Sequence, residues 1–358
     1  MSQLKGFKKG FFKGKRIFIT GGTGSWGQEF ARQILADSPR EVKIYSRGEY
    51  EQTQMRRRFH NHPALCFVIG DVRNRERLVA KMRGADYVIH LAALKHVPIV
   101  EEHPEEALEI NTIGTQNVIE AATANEVKKV LFVSSDKAVD PLNFYGITKL
   151  AGERLMATAH GNGKTAFVTF RGGNVMGSRG SIIPIFQEQI LRDGHISLTD
   201  PSMTRFFMSV RDIVALALTS FQVGIGSEVF VPSMKSASLK ELAEAMIDGL
   251  GRKKTKINYI GTRPGEKQHE LLLSRNEVGR TKVMDSLWVL LPFFPTAAVQ
   301  KKYEKFSSPA FPEFSSETAQ HFLREELKGL LKTEGFLEKN IPIVKEPLFF
   351  KKGKWYFS

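Results

Sequence analysis

The chain has 358 residues, 42% hydrophobic and 25% charged, the balance of an ordinary folded protein with length enough for a full core and a second lobe. Its 52 lysines and arginines against 38 acids give a formal charge of +14, which favours anionic partners such as phosphates, and its one cysteine, Cys66, excludes an intrachain disulfide framework and a multi-cysteine zinc site. The longest apolar stretch, residues 287–294, contains Pro292 and is too short to span a bilayer.

Residues 1–13 are basic, with Lys5, Lys8, Lys9 and Lys13 interleaved with Phe7, Phe11 and Phe12 and no acid, and read as a solvated, partly frayed arm rather than a membrane or nucleic-acid anchor. The arm lacks the apolar region and cleavage site of a secretory signal, so the expected compartment is a reducing cytoplasm. Residues 16–20 suit a buried first strand and lead directly into Gly21, Gly22, Thr23, Gly24, Ser25, Trp26 and Gly27. The glycines at 21, 24 and 27 let backbone N–H groups approach a pyrophosphate, and the helix expected through about residue 36 adds its N-terminal dipole. Strand, turn and helix in succession make this a dinucleotide-binding site rather than a plain turn.

Residues 41–46 form the second strand. An acid at its end would bind the 2′-hydroxyl of NAD, but the sequence there is Tyr45, Ser46, Arg47. A hydroxyl and a guanidinium suit a 2′-phosphate, so NADP is expected over NAD, with Glu49 and Glu51 as the acids that would serve a free ribose instead. Residues 66–69 are the third strand, in which Cys66 is expected to be a buried small hydrophobe. Asp71 and Val72 at its end meet an adenine edge, or Asp71 caps the helix from Arg73 onward. Residues 87–91 are the fourth strand, followed by Ala92 and Ala93, small enough for the cofactor to lie close. Lys95 comes next as a candidate substrate contact, and His96 receives no catalytic role. Residues 105–124 have the apolar periodicity of one long crossover helix.

Residues 129–133 read as a buried parallel strand that ends in Ser134, Ser135, Asp136 and Lys137. Tyr145 and Lys149 lie four apart, hence on one face of the next helix. A hydroxyl, a carboxylate, two amines and a phenol thus gather at the carboxyl end of a central strand, where open α/β sheets bind ligands. The alternation of strand and helix from 16 to 150 predicts an α/β fold with a doubly wound parallel sheet, and residues 166–171 add a sixth strand. From 172 the elements shorten and glycine and proline separate them, which reads as a smaller substrate lobe interleaved with the sheet domain. The expected divisions are the arm, 1–13; an NADP-binding domain, 14–171; the lobe, 172–335; and a tail, 336–358, from which no function follows. Within the lobe, Ser238 and Glu241 form a capping box for a helix to 250, and residues 316–332 form a late amphipathic helix.

The glycine fingerprint, Ser135, and Tyr145 with Lys149 resemble the extended short-chain dehydrogenase/reductase superfamily, with its Rossmann sheet. The run Ser135, Asp136, Lys137, Ala138 with Pro141, then Gly173, Asn174, Val175, Met176, Gly177, Ser178, Arg179, Gly180, then Met203 to Phe207, then Arg263, Pro264, Gly265, Glu266, Lys267, is similar to the inverting UDP-N-acetylglucosamine 4,6-dehydratases that begin pseudaminic acid synthesis. The resemblance covers about residues 14 to 280, and Gly172 stands where that family usually has tyrosine. It implies that Tyr145 is the base for a sugar hydroxyl, helped by Lys149 and Ser135, and that Lys137 removes the C5 proton while Asp136 protonates the departing C6 hydroxyl. It further implies a tightly bound NADP regenerated each cycle, a homo-oligomer, and UDP contacts from Asn174, Arg179, Arg205, Arg263 and Glu266. A nucleotide-sugar 4-epimerase and a non-catalytic NADP-sensing protein are the rival readings. No metal, nucleic-acid partner or membrane span is expected.

Overall fold

The computed structural model describes residues 7–160, 164–178, 180–252, 254–262 and 265–338, together with the backbones of two short strands, Phe350–Lys351 and Lys354–Trp355. The apolar runs of the first half become β1 (Arg16–Thr20), β2 (Glu41–Ser46), β3 (Leu65–Ile69), β4 (Tyr87–His90), β5 (Lys129–Ser135) and β6 (Ala166–Gly172). Between them lie α1 (Ser25–Leu35), α2 (Glu49–Arg58), α3 (Arg75–Met82) and the longer helices Gly114–Ala124 and Phe144–Ala159. One nine-stranded sheet runs β3-β2-β1-β4-β5-β6, then Val229–Pro232, Leu287–Leu290 and Thr281–Met284. All pairings from β3 to Val229–Pro232 are parallel, and the last two are antiparallel.

Burial on both faces explains the near-continuous apolar strands. Along β1, Ile17 and Ile19 pack with Phe30 and Ile34 of α1, whereas Phe18 packs on the other face with Val118 and Ile119 of the helix Gly114–Ala124. The chain order reverses between β1 and β4, and a buried polar pair ties the two strands together there. Thr20 Oγ1 lies 2.7 Å from His90 Nδ1, and His90 Nε2 lies 2.9 Å from Thr115 Oγ1. Complete burial pushes the His90 imidazole down to about 3, so it is neutral and structural.

The lobe has its own core, which includes Phe186, Ile196, Phe207, Leu242, Met246 and Leu327. The expected capping box of Ser238 and Glu241 opens the helix Leu239–Gly249. Among the described residues no helix is long and apolar enough to cross a membrane.

The structure corrects five expectations. Of the expected arm, residues 1–6 lie outside the described residues, and residues 7–13 are anchored rather than frayed, although Lys8, Lys9 and Lys13 stay exposed: Phe12 is fully buried, Phe11 stacks on Tyr87 with centroids 5.1 Å apart, and Asp37 accepts the N–H groups of Gly10 and Phe12 at 2.5 and 2.7 Å. The aromatic area they bury outweighs the basic character of the segment. Cys66 is exposed, because β3 is an edge strand of the sheet. The crossover is not one α-helix but Pro104–Ala107, a π-helical turn Leu108–Ile113 and then Gly114–Ala124. The late helix is confined to Arg324–Thr333, since Ser316 is committed to hydrogen bonds with Glu270 and Thr204. Asn74, not Asp71, caps α3, through its bond to the Arg77 N–H.

Candidate active site

A cavity of about 990 Å³ opens along the carboxyl ends of β1, β4, β5 and β6 and extends into the lobe. Its first part is the glycine turn. Gly21 has φ +65°, and a Cβ there would stand 2.7 Å from the Ala92 nitrogen; a Cβ on Gly27 would stand 2.4 Å from the Gly22 Cα. Glycine therefore brings the turn flat against the end of β4 and seats α1 directly on it. Gly24, the N-cap of α1, supplies no side-chain acceptor, which leaves the start of that helix suited to an anion.

Thr23, Gly24, Ser25, Trp26 and Gly27 line the cavity beside Gly21, as do Ser46, Arg47, Asp71, Val72, Ala92 and Ala93 further along. Gln52 holds Ser46, its amide donating to the Ser46 hydroxyl and carbonyl, both at 3.0 Å. Arg47 is exposed at the rim. The Asp71 carboxylate accepts from the Arg73 N–H at 2.9 Å and guanidinium at 2.8 Å; burial works to raise it, but Arg73 holds it below the usual range. These residues fit a dinucleotide: a cradle that a Cβ would fill at one end, and a hydroxyl with an exposed guanidinium at the rim at the other.

The catalytic candidates gather at the end of β5. The π turn contributes here, because Asn111 bonds to Leu94 N and O at 2.8 and 2.9 Å and to Thr148 Oγ1 at 3.0 Å, tying the loop after β4 to the helix that carries Tyr145. Asn143 caps that helix through the Gly146 N–H at 2.9 Å and donates to the Gly265 carbonyl at 3.0 Å. Tyr145 is buried, and burial pushes its phenol up while Lys137 and a hydrogen bond with Ser135 pull it down. Lys149 Nζ donates to the Val133 carbonyl at 2.7 Å and sits 4.0 Å over the Phe132 ring; burial brings it down to about 7.

Ser135 Oγ donates to Asp136 Oδ1 at 2.8 Å and accepts from the Lys137 N–H at 3.2 Å. Ser135, Lys137, Tyr145 and Lys149 line the cavity, whereas Asp136, only 1% exposed, stands behind Ser135 and Lys137. The Lys137 ammonium lies 3.2 Å from Asp136 Oδ1 and 3.1 Å from Glu270 Oε1. Burial opposes its charge, but Asp136 and Glu270 outweigh burial and hold it as an ammonium. Asp136 is pushed up, by burial first and by Glu270 as well.

Of the substrate candidates, Lys95, Asn174, Arg205 and Glu266 line the same cavity, and Arg205 pairs with Glu266 at 3.2 Å. Arg179 and Arg263 lie outside the described residues. Gly172 lines the wall beside Trp26, and a Cβ at 172 would stand 3.1 Å from the Trp26 ring and 3.0 Å from Ile213. Among the described residues no group of three or more His, Cys, Asp or Glu is placed to hold a metal ion.

Three residues have no role assigned from the sequence, although Lys267 stands in the run 263–267 quoted above. Glu270 and Lys267 both line the cavity, and Lys267 Nζ donates to the Val139 carbonyl. Arg171 is fully buried at the end of β6 between Glu153 and Glu277. The available signal was a charge set directly against an apolar run, Glu270 before Leu271–Leu273 and Arg171 after Phe170, since such charges need partners.

The profile of the family described as polysaccharide biosynthesis protein matches residues 17–291. The chain belongs to that family. It is 39% identical over 345 residues to a Campylobacter jejuni UDP-N-acetylglucosamine 4,6-dehydratase (inverting), covering 91% of this chain and all of that one. It is 38% identical over 343 residues to a Rickettsia bellii UDP-glucose 4-epimerase, covering 92% of this chain and 99% of that one. The X-ray structure of Pen from Bacillus thuringiensis superposes with a TM-score of 0.85 at 37% identity, over 92% of this chain and 100% of that one. The polysaccharide-biosynthesis family member described here is thus an extended short-chain dehydrogenase/reductase with a doubly wound sheet, and its site is that of a nucleotide-sugar enzyme.

Proposed function

We propose that the chain is an inverting UDP-N-acetylglucosamine 4,6-dehydratase that binds NADP. The observation that carries this reading is the pair of Asp136, buried, and Lys137, lining the cavity, 3.2 Å apart beside Tyr145, in a site where simple oxidation at C4 needs only the phenol. Tyr145 takes the C4 hydroxyl proton, and Ser135 shares the hydrogen bonds of that hydroxyl. Lys137 and the Ser135 bond favour the phenolate, and Lys149 adds to them when protonated. A nicotinamide cofactor held by the glycine turn would supply the hydride acceptor and donor and would be regenerated in each cycle. A ketone at C4 acidifies C5. Transfer of the Lys137 proton across the 3.2 Å contact to Asp136 leaves a neutral amine that takes the C5 proton, while Asp136 gives the proton it received to the C6 oxygen, which leaves as water. A solvent proton delivered to C5 from the opposite face gives the inverted UDP-2-acetamido-2,6-dideoxy-4-hexulose, a precursor suited to pseudaminic acid.

Ser46 and Arg47 support NADP over NAD, because together they offer a hydroxyl and a guanidinium to a 2′-phosphate. Arg205, Glu266 and Asn174 are proposed to hold the UDP moiety, with Arg179, Arg263 and Lys95. A homo-oligomer is supported by exposed Ile99, Leu108, Ile113, Leu142 and Ile147, which lie on neighbouring helices and the loop before one of them. A cytoplasmic site of action suits a chain with one exposed cysteine. The relatives named as UDP-glucose 4-epimerases favour the second reading, hydride return to C4 without elimination. The test is incubation of the purified protein with UDP-N-acetylglucosamine in D₂O, followed by NMR. The dehydratase incorporates deuterium at C5 and yields a 6-deoxy-4-keto sugar; formation of the C4 epimer alone, without deuterium, refutes it.

A further inference from the structure

Two carboxylates hold Lys137, and they come from distant parts of the chain. Asp136 is its neighbour, whereas Glu270 directly precedes the strand Leu271–Leu273. The backbone of Glu270 is fixed on both sides: its N–H donates to Ser316 Oγ at 2.9 Å, and its carbonyl accepts from the Ser316 N–H at 2.8 Å. Its side chain is buried, with Oε1 3.1 Å from Lys137 Nζ and 3.6 Å from Arg205 Nε, and with Oε2 buried and lacking a hydrogen-bond partner. Asp136 Oδ2 is likewise buried without a partner. Lys267, on the same segment, also acts on the Glu270 charge, and Arg205 is shared with Glu266 at 3.2 Å. A lysine stem of four carbons leaves the ammonium loosely placed unless several acceptors fix it.

We propose that Glu270 is a positioning residue for elimination, fixing the Lys137 ammonium beside Asp136 and setting the pH range over which that pair works. The inference rests on the dehydratase reading given above. A negative charge at this range disfavours ionisation of Asp136 and favours the charge on Lys137, so both groups keep their protons to higher pH than they would beside a neutral side chain. Elimination needs one of the two protonated and the other free to take a proton. Both limbs of its pH profile are therefore placed by Glu270.

The full-length Glu270→Gln variant, loaded with NADP and checked by thermal melting, tests this, because glutamine keeps the shape and an acceptor oxygen but not the charge. C5 deuterium uptake and dehydrated product from UDP-N-acetylglucosamine are followed by NMR from pH 6 to 10, with near-ultraviolet absorbance reporting nicotinamide reduction. The elimination profile is expected to move to lower pH by about 1 to 3 units, with Tyr145-dependent nicotinamide reduction kept within a few-fold, and Glu270→Asp is expected to return part of the way. A folded Glu270→Gln protein whose elimination profile coincides with the wild type overturns the inference. If Glu270→Gln does not fold, Glu270→Asp decides: its shorter side chain opens the Lys137 contact, so a displaced profile supports the inference and a coincident one overturns it. A wild type that forms only the C4 epimer without deuterium uptake overturns the dehydratase reading and this inference together, whereas a dehydrating wild type beside an unmoved Glu270→Gln overturns this inference alone.

Discussion

Replacing Arg171 with methionine isolates what its buried charge contributes to the site. The guanidinium donates from Nε and NH2 to Glu153 at 3.0 and 2.7 Å, from NH1 and NH2 to Glu277 at 2.8 Å each, and from NH1 to the Leu272 carbonyl at 3.0 Å, so one side chain binds two carboxylates and a strand. Methionine fills much of the volume but leaves two carboxylates buried without the guanidinium that binds them, a loss of about 3 to 5 kcal/mol. With an unfolding entropy of about 2.1 cal/mol/K per residue over 358 residues, cooperative unfolding would lower Tm by roughly 4 to 7 °C. The pH dependence reverses sign. In the wild type, burial works to raise Glu277 but Arg171 outweighs it and holds the carboxyl below its ordinary value, so its contribution is present above that ordinary value and is lost as pH falls through the depressed one. In the variant Arg171, the largest influence opposing the burial of Glu277, is gone, and that carboxyl moves up. If it rises above its ordinary value, its contribution is kept below the ordinary carboxyl range and lost as pH rises through the raised value. Melting curves at pH 5.5 and pH 8 test this: the deficit should be clearly larger at pH 8, and an equal deficit at the two values refutes the assignment of the loss to unpaired charge.

Other outcomes follow from the same contacts. Removal of residues 1–12 should cost stability, with Phe12→Ala alone costing about 3 to 5 kcal/mol, measured by urea unfolding; a neutral result would contradict the burial of Phe12. Lys137→Ala should still bind UDP-N-acetylglucosamine and form some reduced nicotinamide, but lose C5 deuterium uptake by roughly 10²-fold or more. Tyr145→Phe should lose the nicotinamide signal too, and retention of that signal would remove Tyr145 as the base. Arg47→Asp should shift cofactor preference from NADP toward NAD in calorimetry, and tighter NAD binding by the wild type would contradict the role of Arg47.

The parts of the fold that were legible in the sequence are those with a local cause. Strands β1 to β6 are short apolar runs, and the glycines at 21 and 27 are demanded by backbone approaches of 2.7 and 2.4 Å that exclude a Cβ. The helix face that carries Tyr145 and Lys149 follows from their spacing alone. Contacts between distant segments were not legible. Phe12 looked solvated because its neighbours are lysines, and nothing local announces Tyr87 and Phe221, the rings it meets. Cys66 looked buried because an edge strand and a central strand have similar composition. Arg171 and Glu270 stand out only as charges beside apolar runs, which says that partners exist but not where they are.

The same distinction bears on where the chemistry resides. Asp136, Lys137, Tyr145 and Lys149 occupy one short stretch, but part of the geometry that makes them a site is supplied from residue 265 onward. Gly265 accepts from Asn143 at the start of the Tyr145 helix, Lys267 binds the Val139 carbonyl beyond the Asp136 turn, and Glu270 anchors Lys137. Ser316, in a segment without any recognisable motif, holds the Glu270 backbone by two hydrogen bonds, one to its hydroxyl and one from its N–H, and its hydroxyl in turn bonds to the Thr204 carbonyl at 3.0 Å. Arg171 joins the two halves, gripping Glu153 on the Tyr145 helix and Leu272 two residues past Glu270. Substitutions far along the chain, at Arg171 or Ser316, are therefore expected to impair elimination more than nicotinamide reduction, because the position of Glu270 depends on them while that of Tyr145 is also fixed locally by the Asn143 cap and the Asn111 bridge to Thr148.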